Sequence, residues 1–168
     1  MPGIITNLKG GNLTLTTAVN VLTALRTAAA GAAASRVKIK RLEISQSGST
    51  TLGMVRGQIA TRDTAGTLTC TALAPIAWRP VGGQASGLAG NTAPVGGDGR
   101  SGVNGTVDSG GAYTEIYPFA FPNTAGLLFK PDPDEEIEIA ASTVLVVRFT
   151  ADPATLTGWN WNLIISEE

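Results

Sequence analysis

The sequence predicts an all-β, single-domain β-sandwich or jelly roll of about eight short strands, with one long glycine-rich loop and an N-terminal arm. Three observations lead there. From Ser35 onward the apolar residues mostly recur with a period of two, the spacing of strands that bury one face. Turn residues punctuate these runs at short intervals, and no long helical period competes with them. Charged residues make up only 15% of the 168, while Gly supplies 21, a turn-rich and lightly charged composition. A chain of this length can bury roughly two-thirds of its unfolded surface in one core, so a single domain suffices.

Residues 1–15 read as an extended arm, ahead of a jelly-roll domain over 16–168. The arm holds Ile4, Ile5 and Leu8 with only Lys9 charged, and Gly10-Gly11 loosens its attachment to the next strand. Such a segment can add to a sheet edge, either on a neighbour or on its own domain. Residues 17–25 fit a strand by their Thr and Val content, although Val19, Leu22 and Arg26 also suit a helical spacing. Residues 28–34, interrupted by Gly31, read as a connector.

In Arg36-Val37-Lys38-Ile39-Lys40, Val37 and Ile39 share one face and three cations the other; Leu42 and Ile44 continue in the opposite phase. One extra residue near Lys40-Arg41, a β-bulge, restores the buried face. Residues 54–62 place Val55 and Ile59 on one side and Arg56, Gln58 and Arg62 on the other. Turn chemistry at 63–66 then predicts a hairpin into 67–71, where Cys70 falls in phase with Leu68 as a small buried side chain.

Residues 82–111 hold 11 of the 21 glycines and show no periodicity, so they read as a surface loop, with Thr106-Val107 able to add a short edge strand. Order returns at Tyr113, Tyr117, Phe119 and Phe121, which alternate; Pro118 confines that strand to an edge or a bulge. Leu127-Leu128-Phe129, a Pro-rich acidic turn, Ile137-Glu138-Ile139 and a nearly all-apolar central strand at 143–149 come next. Trp159, Trp161, Leu163 and Ile165 alternate against Asn160 and Asn162 in a closing strand, so the two indoles belong to the core.

The chemistry is sparse. With no histidine, the chain lacks the commonest general base, the commonest metal ligand and the usual Ser-His and Cys-His nucleophile systems. One cysteine allows no intrachain disulfide and no thiolate cluster. Asp132, Asp134, Glu135, Glu136 and Glu138 concentrate acid in and after a turn, where a solvated turn with ion pairs to Arg36, Lys38 and Lys40 is the simplest role. A calcium loop there lacks its central Gly and distal Glu. The glycine spacing at 97–102 matches a dinucleotide-binding turn, but no strand precedes it and no helix follows. The expectation is therefore a non-enzyme with no cofactor and no metal.

Net charge is −1, which gives no long-range pull on nucleic acid or an anionic membrane. Residues 1–62 hold eight cations against Glu43 alone, and residues 63–168 hold four cations against twelve acids, so +7 faces −8. That asymmetry predicts Arg36, Lys38 and Lys40 beside Glu136 and Glu138, within a subunit or across a boundary. The N-terminus lacks a secretory pattern and no apolar run approaches a membrane span, so the chain is expected to be made and kept in the cytoplasm. Trp78, in Ala77-Trp78-Arg79-Pro80 beside the long loop, is the best exposed anchor. Candidate partner-binding residues are accordingly Ile4, Ile5, Leu8, Lys9, Trp78, Arg79, Arg36, Lys38 and Lys40.

The stretch from Arg36 to Ser47, ending its strand in Ser45-Gln46, and Val55-Arg56-Gly57-Gln58-Ile59 after it, resemble a group of small jelly-roll accessory or decoration proteins of tailed bacteriophages. The order of later features agrees: a Pro-containing segment at 75–80, the Gly-rich loop, an aromatic strand, a Pro-rich acidic turn and a final β-hairpin. The resemblance spans about residues 35–168. It implies a virion surface protein, most simply a capsid decoration or cement subunit that binds the major capsid protein or another virion protein and assembles as a homotrimer. A phage tail or receptor- and carbohydrate-binding jelly-roll module is the alternative.

Overall fold

The computed structural model describes residues 4–78 and 85–168. Thirteen strands run in order: β1 Ile4–Leu13, β2 Val21–Arg26, β3 Val37–Gln46, β4 Met54–Arg62, β5 Thr67–Ala72, β6 Ile76–Ala77, β7 Ala89–Gly90, β8 Arg100–Ser109, β9 Tyr113–Pro122, β10 Leu127–Phe129, β11 Glu138–Ile139, β12 Val144–Phe149 and β13 Trp159–Glu167. They form two sheets, β10-β3-β13-β1-β6 with β11 beside β3, and β5-β8-β2-β12-β4-β9 with β7 beside β8. Among the described residues no helix is long and apolar enough to cross a membrane.

Eight strands carry the architecture. In one sheet β10-β3-β13-β1 stand in the same order as β9-β4-β12-β2 in the other, so each consecutive pair (β1 and β2, β3 and β4, β9 and β10, β12 and β13) crosses from sheet to sheet. Taken in chain order, the first, eighth, third and sixth core strands share one sheet and the second, seventh, fourth and fifth the other. That is the wrapped-ribbon order of a jelly roll. The remaining five strands are additions to this frame, four of them between β4 and β9. Of these, β6 covers the β1 edge and β8 the β2 edge.

The core between the sheets takes the alternate residues that the sequence marks: Ile39, Leu42 and Ile44 from β3, Leu145, Val147 and Phe149 from β12, Trp159, Trp161, Leu163 and Ile165 from β13. The expected bulge is present, since Ile164 faces Arg41 while Ile165 faces Ile39, leaving Lys40 as the extra residue. A second cluster lies on the opposite face of the β2-β12 sheet, where Val144 and Val146 meet Leu68, Cys70 and Val95. Burial on both faces explains why β12 is apolar at nearly every position.

Four expectations are corrected. Of the two dockings open to the N-terminal segment, residues 4–13 show the one on their own domain, as an interior strand rather than an arm or an edge: β1 lies between β13 and β6, pairs with β13 from Ile4 opposite Glu167 to Leu13 opposite Trp159, and turns Leu8 fully into the core. Residues 1–3 lie outside the described residues. The turn at 63–66 does not close a hairpin, because β4 pairs with β12 and β9 whereas β5 pairs with β8. The physical reason is that Val55 and Ile59 of β4 belong to the main core, while Leu68 and Cys70 of β5 belong to the second cluster on the other face.

The segment 82–111, of which 85–111 is described, is not a structureless loop. It contains β7, a 3-10 turn at Pro94–Gly96 and β8, an interior strand between β5 and β2 rather than an edge. Its glycines serve close packing: a Cβ at Gly102 would lie 2.8 Å from Cys70 Cβ, and one at Gly105 would lie 2.8 Å from Val21 Cβ. Asn104, at φ 51°, marks a corner in β8, and the register with β5 shifts there. Finally, β12 and β13 are not a closing hairpin; the connection passes from one sheet to the other.

Candidate functional site

Two surfaces and one buried network gather the side chains with something to do. The first surface is the β6/β1 edge. Trp78 N–H donates to the Ile5 carbonyl at 2.8 Å, continuing the β6–β1 ladder and standing the indole at the rim. Trp78 is 52% exposed, Ile76 52% and Ile5 42%, a cluster of large apolar groups in water. Ile5, Trp78, Lys40 and Ile164 line a depression of about 400 Å³. Three of the nine candidate residues, Ile5, Lys40 and Trp78, are thus brought together.

The other six divide. Leu8 is core and can touch no partner, while Ile4 is half-buried and Lys9 exposed on the same strand. Arg79 lies outside the described residues. Arg36 and Lys38 reach Glu138 at 3.5 and 3.8 Å, Lys38 also reaches Glu168 at 3.1 Å, and Lys40 reaches Glu136 at 2.6 Å. The expected charge pairing therefore lies within one subunit, where β11 runs beside β3 with Glu138 opposite Lys38. Pairs this open to solvent are screened and set register more than stability.

The second surface is at the opposite edge, where β9 and β10 end their sheets. Tyr117 packs on Phe129 with ring centroids 4.5 Å apart, and Ile116, Tyr117, Leu128, Phe129, Pro131 and Glu135 help line a cleft of about 510 Å³. The aromatic alternation hides this site in the sequence. A bulge at Ile116, with Ile59 opposite Tyr117 and Ala60 opposite Glu115, breaks the phase between Tyr113 and Phe119. Phe119 and Phe121 join the main core, Tyr113 packs on the second cluster, and Tyr117 is left 39% exposed. The exposed aromatics Trp78 and Tyr117 thus stand at opposite edges and do not form a common stacking platform among the described residues.

The buried network sits under β8. Arg62 reads as solvent-facing, yet its side chain is fully buried because β5 and β8 fold over the outer face of β4. Its guanidinium pairs with Asp108 at 2.9 Å and donates to the carbonyls of Asp63 and Ala65 at 2.9 and 3.0 Å. Asp108 also accepts from the Tyr113 hydroxyl, and Arg148 lies over the Tyr113 ring at 4.2 Å. Burial first, and the Asp108 hydrogen bond second, push the Tyr113 hydroxyl upward. A charged pair clamped by carbonyls is built to hold β4, β8 and β9 together. Glu167 does similar work at the chain's other end: it is 3% exposed and accepts from Thr6 Oγ1, Ser86 Oγ and the Gly87 N–H at 2.6, 2.7 and 2.7 Å.

Cys70 is the lone thiol and is buried beside this network. Burial, with the nearby Asp108 charge second, raises its pKa from 9.0 to about 12, the reverse of what a nucleophile requires. Two outcomes are expected. A thiol reagent at about pH 8 should label the folded chain far more slowly than the urea-unfolded chain. Because the folded pKa is the higher one, the stability held by the neutral thiol is complete below pH 9.0 and is lost as pH rises toward about 12. Urea midpoints of Cys70→Ala should accordingly fall less steeply than those of the parent between pH 9 and 10, and rapid labelling of the native thiol would contradict the placement.

The run at 97–102 enters strand β8 rather than a helix, and Asp98 pairs with Arg26 at 2.7 Å and accepts from Ser142 at 2.8 Å. No known family model matches the chain, and no curated protein and no solved structure matches it.

Proposed function

We propose that this chain is a non-enzymatic structural subunit of a tailed-phage particle, a decoration or cement protein that binds the assembled shell and self-associates, with a homotrimer as the favoured state. The observation that carries this reading is the Trp78 edge. A jelly roll that pairs its buried Arg62 with Asp108 internally leaves Ile5, Ile76 and Trp78 in water at one rim. Exposed apolar clusters mark interaction sites on soluble domains, and Trp is the commonest anchor of protein interfaces. The order of sequence features shared with phage accessory proteins points the same way. A subunit of this kind acts by mass action: it binds the shell's native state and shifts the equilibrium away from disassembly.

The chain is then expected in the host cytoplasm before assembly and on the virion after it. The test is peptide mass spectrometry on gradient-purified particles from the source that encodes the chain. The expected result is co-purification in a fixed ratio to the major shell protein that survives a second gradient. Absence of the chain from particles, or a ratio that drops with each wash at low salt, overturns the proposal.

A further inference from the structure

We infer that copies of this chain associate head to tail, the Trp78 edge of one copy seating in the Tyr117–Phe129 cleft of the next. Three independent features carry this. Among the described residues, six of the nine large exposed apolar side chains gather at two places, Ile5, Ile76 and Trp78 at the β6/β1 edge and Ile116, Tyr117 and Leu128 at the β9/β10 edge, while Leu52, Met54 and Val107 belong to neither group. Because β6 and β10 end the same sheet, these places lie on opposite sides of the sandwich. One presents a projecting indole. The other presents a cleft of about 510 Å³, roomy enough to take it.

Charge selects this arrangement over a symmetric one. Lys9 is exposed on the strand that carries Ile5, and the cleft rim carries Asp132 and Glu135 against Lys130. Among the described residues, Lys9, Asp132 and Glu135 make no ion pair within the chain. Two like edges meeting would set Lys9 against Lys9 or acid against acid, whereas unlike edges bring opposite charges together. The contact is made by side chains rather than by extending the sheet. The bulge at Ile116 and the proline at Pro118 interrupt the outer ladder of β9, devices that keep a free edge from adding strands. Such heterologous contacts close into a ring or run on as a filament, according to the rotation per step.

The experiment uses the full chain and two exposed-site variants, Trp78→Glu and Tyr117→Glu, each checked for a parental circular-dichroism spectrum and melt. Sedimentation velocity at tens of micromolar should show the parent above monomer mass, and each variant alone should be monomeric, its association at least about tenfold weaker. Mixing the two variants should restore one pairing only, a 1:1 dimer in which the intact Trp78 of one seats in the intact cleft of the other. A monomeric parent, a variant that still assembles, or a mixture that stays monomeric overturns the inference. If either variant melts early, Ile5→Asp and Leu128→Asp test the same two edges in the same design. A monomer that is nonetheless found on particles would sink this inference and the proposed self-association, and leave standing only the binding to the particle.

Discussion

Asp108→Ala is expected to cost about 3–5 kcal/mol, because it strands the Arg62 guanidinium, whose side chain is fully buried, without its counter-charge. For a chain of this size that corresponds to a fall in Tm on the order of 10 °C. The half-buried Tyr113 loses the acceptor of its hydroxyl in the same variant, which adds to the loss. The double variant Arg62→Met with Asp108→Leu removes both charges and should regain most of the loss, since replacing a whole buried pair with apolar groups is often neutral. Calorimetry on the three proteins checks this. An Asp108→Ala melt within about 2 °C of the parent would mean that β8 does not seal Arg62 from water.

Trp159→Ala should be of similar size, about 3–5 kcal/mol, as a large-to-small change at a site the surroundings cannot refill. Trp159 is fully buried, stacks edge-on against Phe149 at 4.8 Å and lies 6.4 Å from Phe121. Its indole N–H donates to the Thr155 carbonyl at 2.9 Å, a bond the truncation removes while Gln46 Nε2 still donates to that oxygen at 3.0 Å. Trp161 makes the contrast. Its indole N–H is buried without a hydrogen-bond partner among the described residues. Trp161→Phe therefore removes an unsatisfied donor along with some area and should cost less than about half as much. Urea unfolding followed by circular dichroism separates the two; a Trp161→Phe loss as large as that of Trp159→Ala would contradict this account.

The parts of this fold legible in the sequence are those set by one strand at a time. Val37, Ile39, Leu42 and Ile44 announce both the buried face of β3 and its bulge, because a phase switch without a turn has few other meanings. Trp159 to Ile165 likewise announce a core-facing strand. What escapes is partner choice. The turn at 63–66 reverses the chain locally, but jelly-roll wrapping sends β4 to β12 and β9, and nothing local encodes that long-range order.

Glycine misleads for a related reason. Gly10 reads as a loosened joint, yet a Cβ there would sit 2.3 Å from Trp161 Cζ2, so the glycine marks tight packing of β1 on the core. The same holds for Gly102 and Gly105 in β8. Of the candidate surface, Ile5 and Trp78 stand out in sequence, the one in a nearly uncharged apolar N-terminal stretch and the other beside the long glycine-rich segment. Tyr117 does not, because it keeps the alternation of Phe119 and Phe121 and is open to water only because β9 ends its sheet, a position that nothing local encodes.

The proposed role, a sandwich that works by contact with the proteins of a phage particle, is tested most directly by imaging the intact particle at near-atomic resolution. Density for this jelly roll is expected at repeated positions on the particle surface, with the Trp78 edge buried against a neighbouring protein. Particles that carry no such density, or carry it with Trp78 facing open solvent, would contradict the claim.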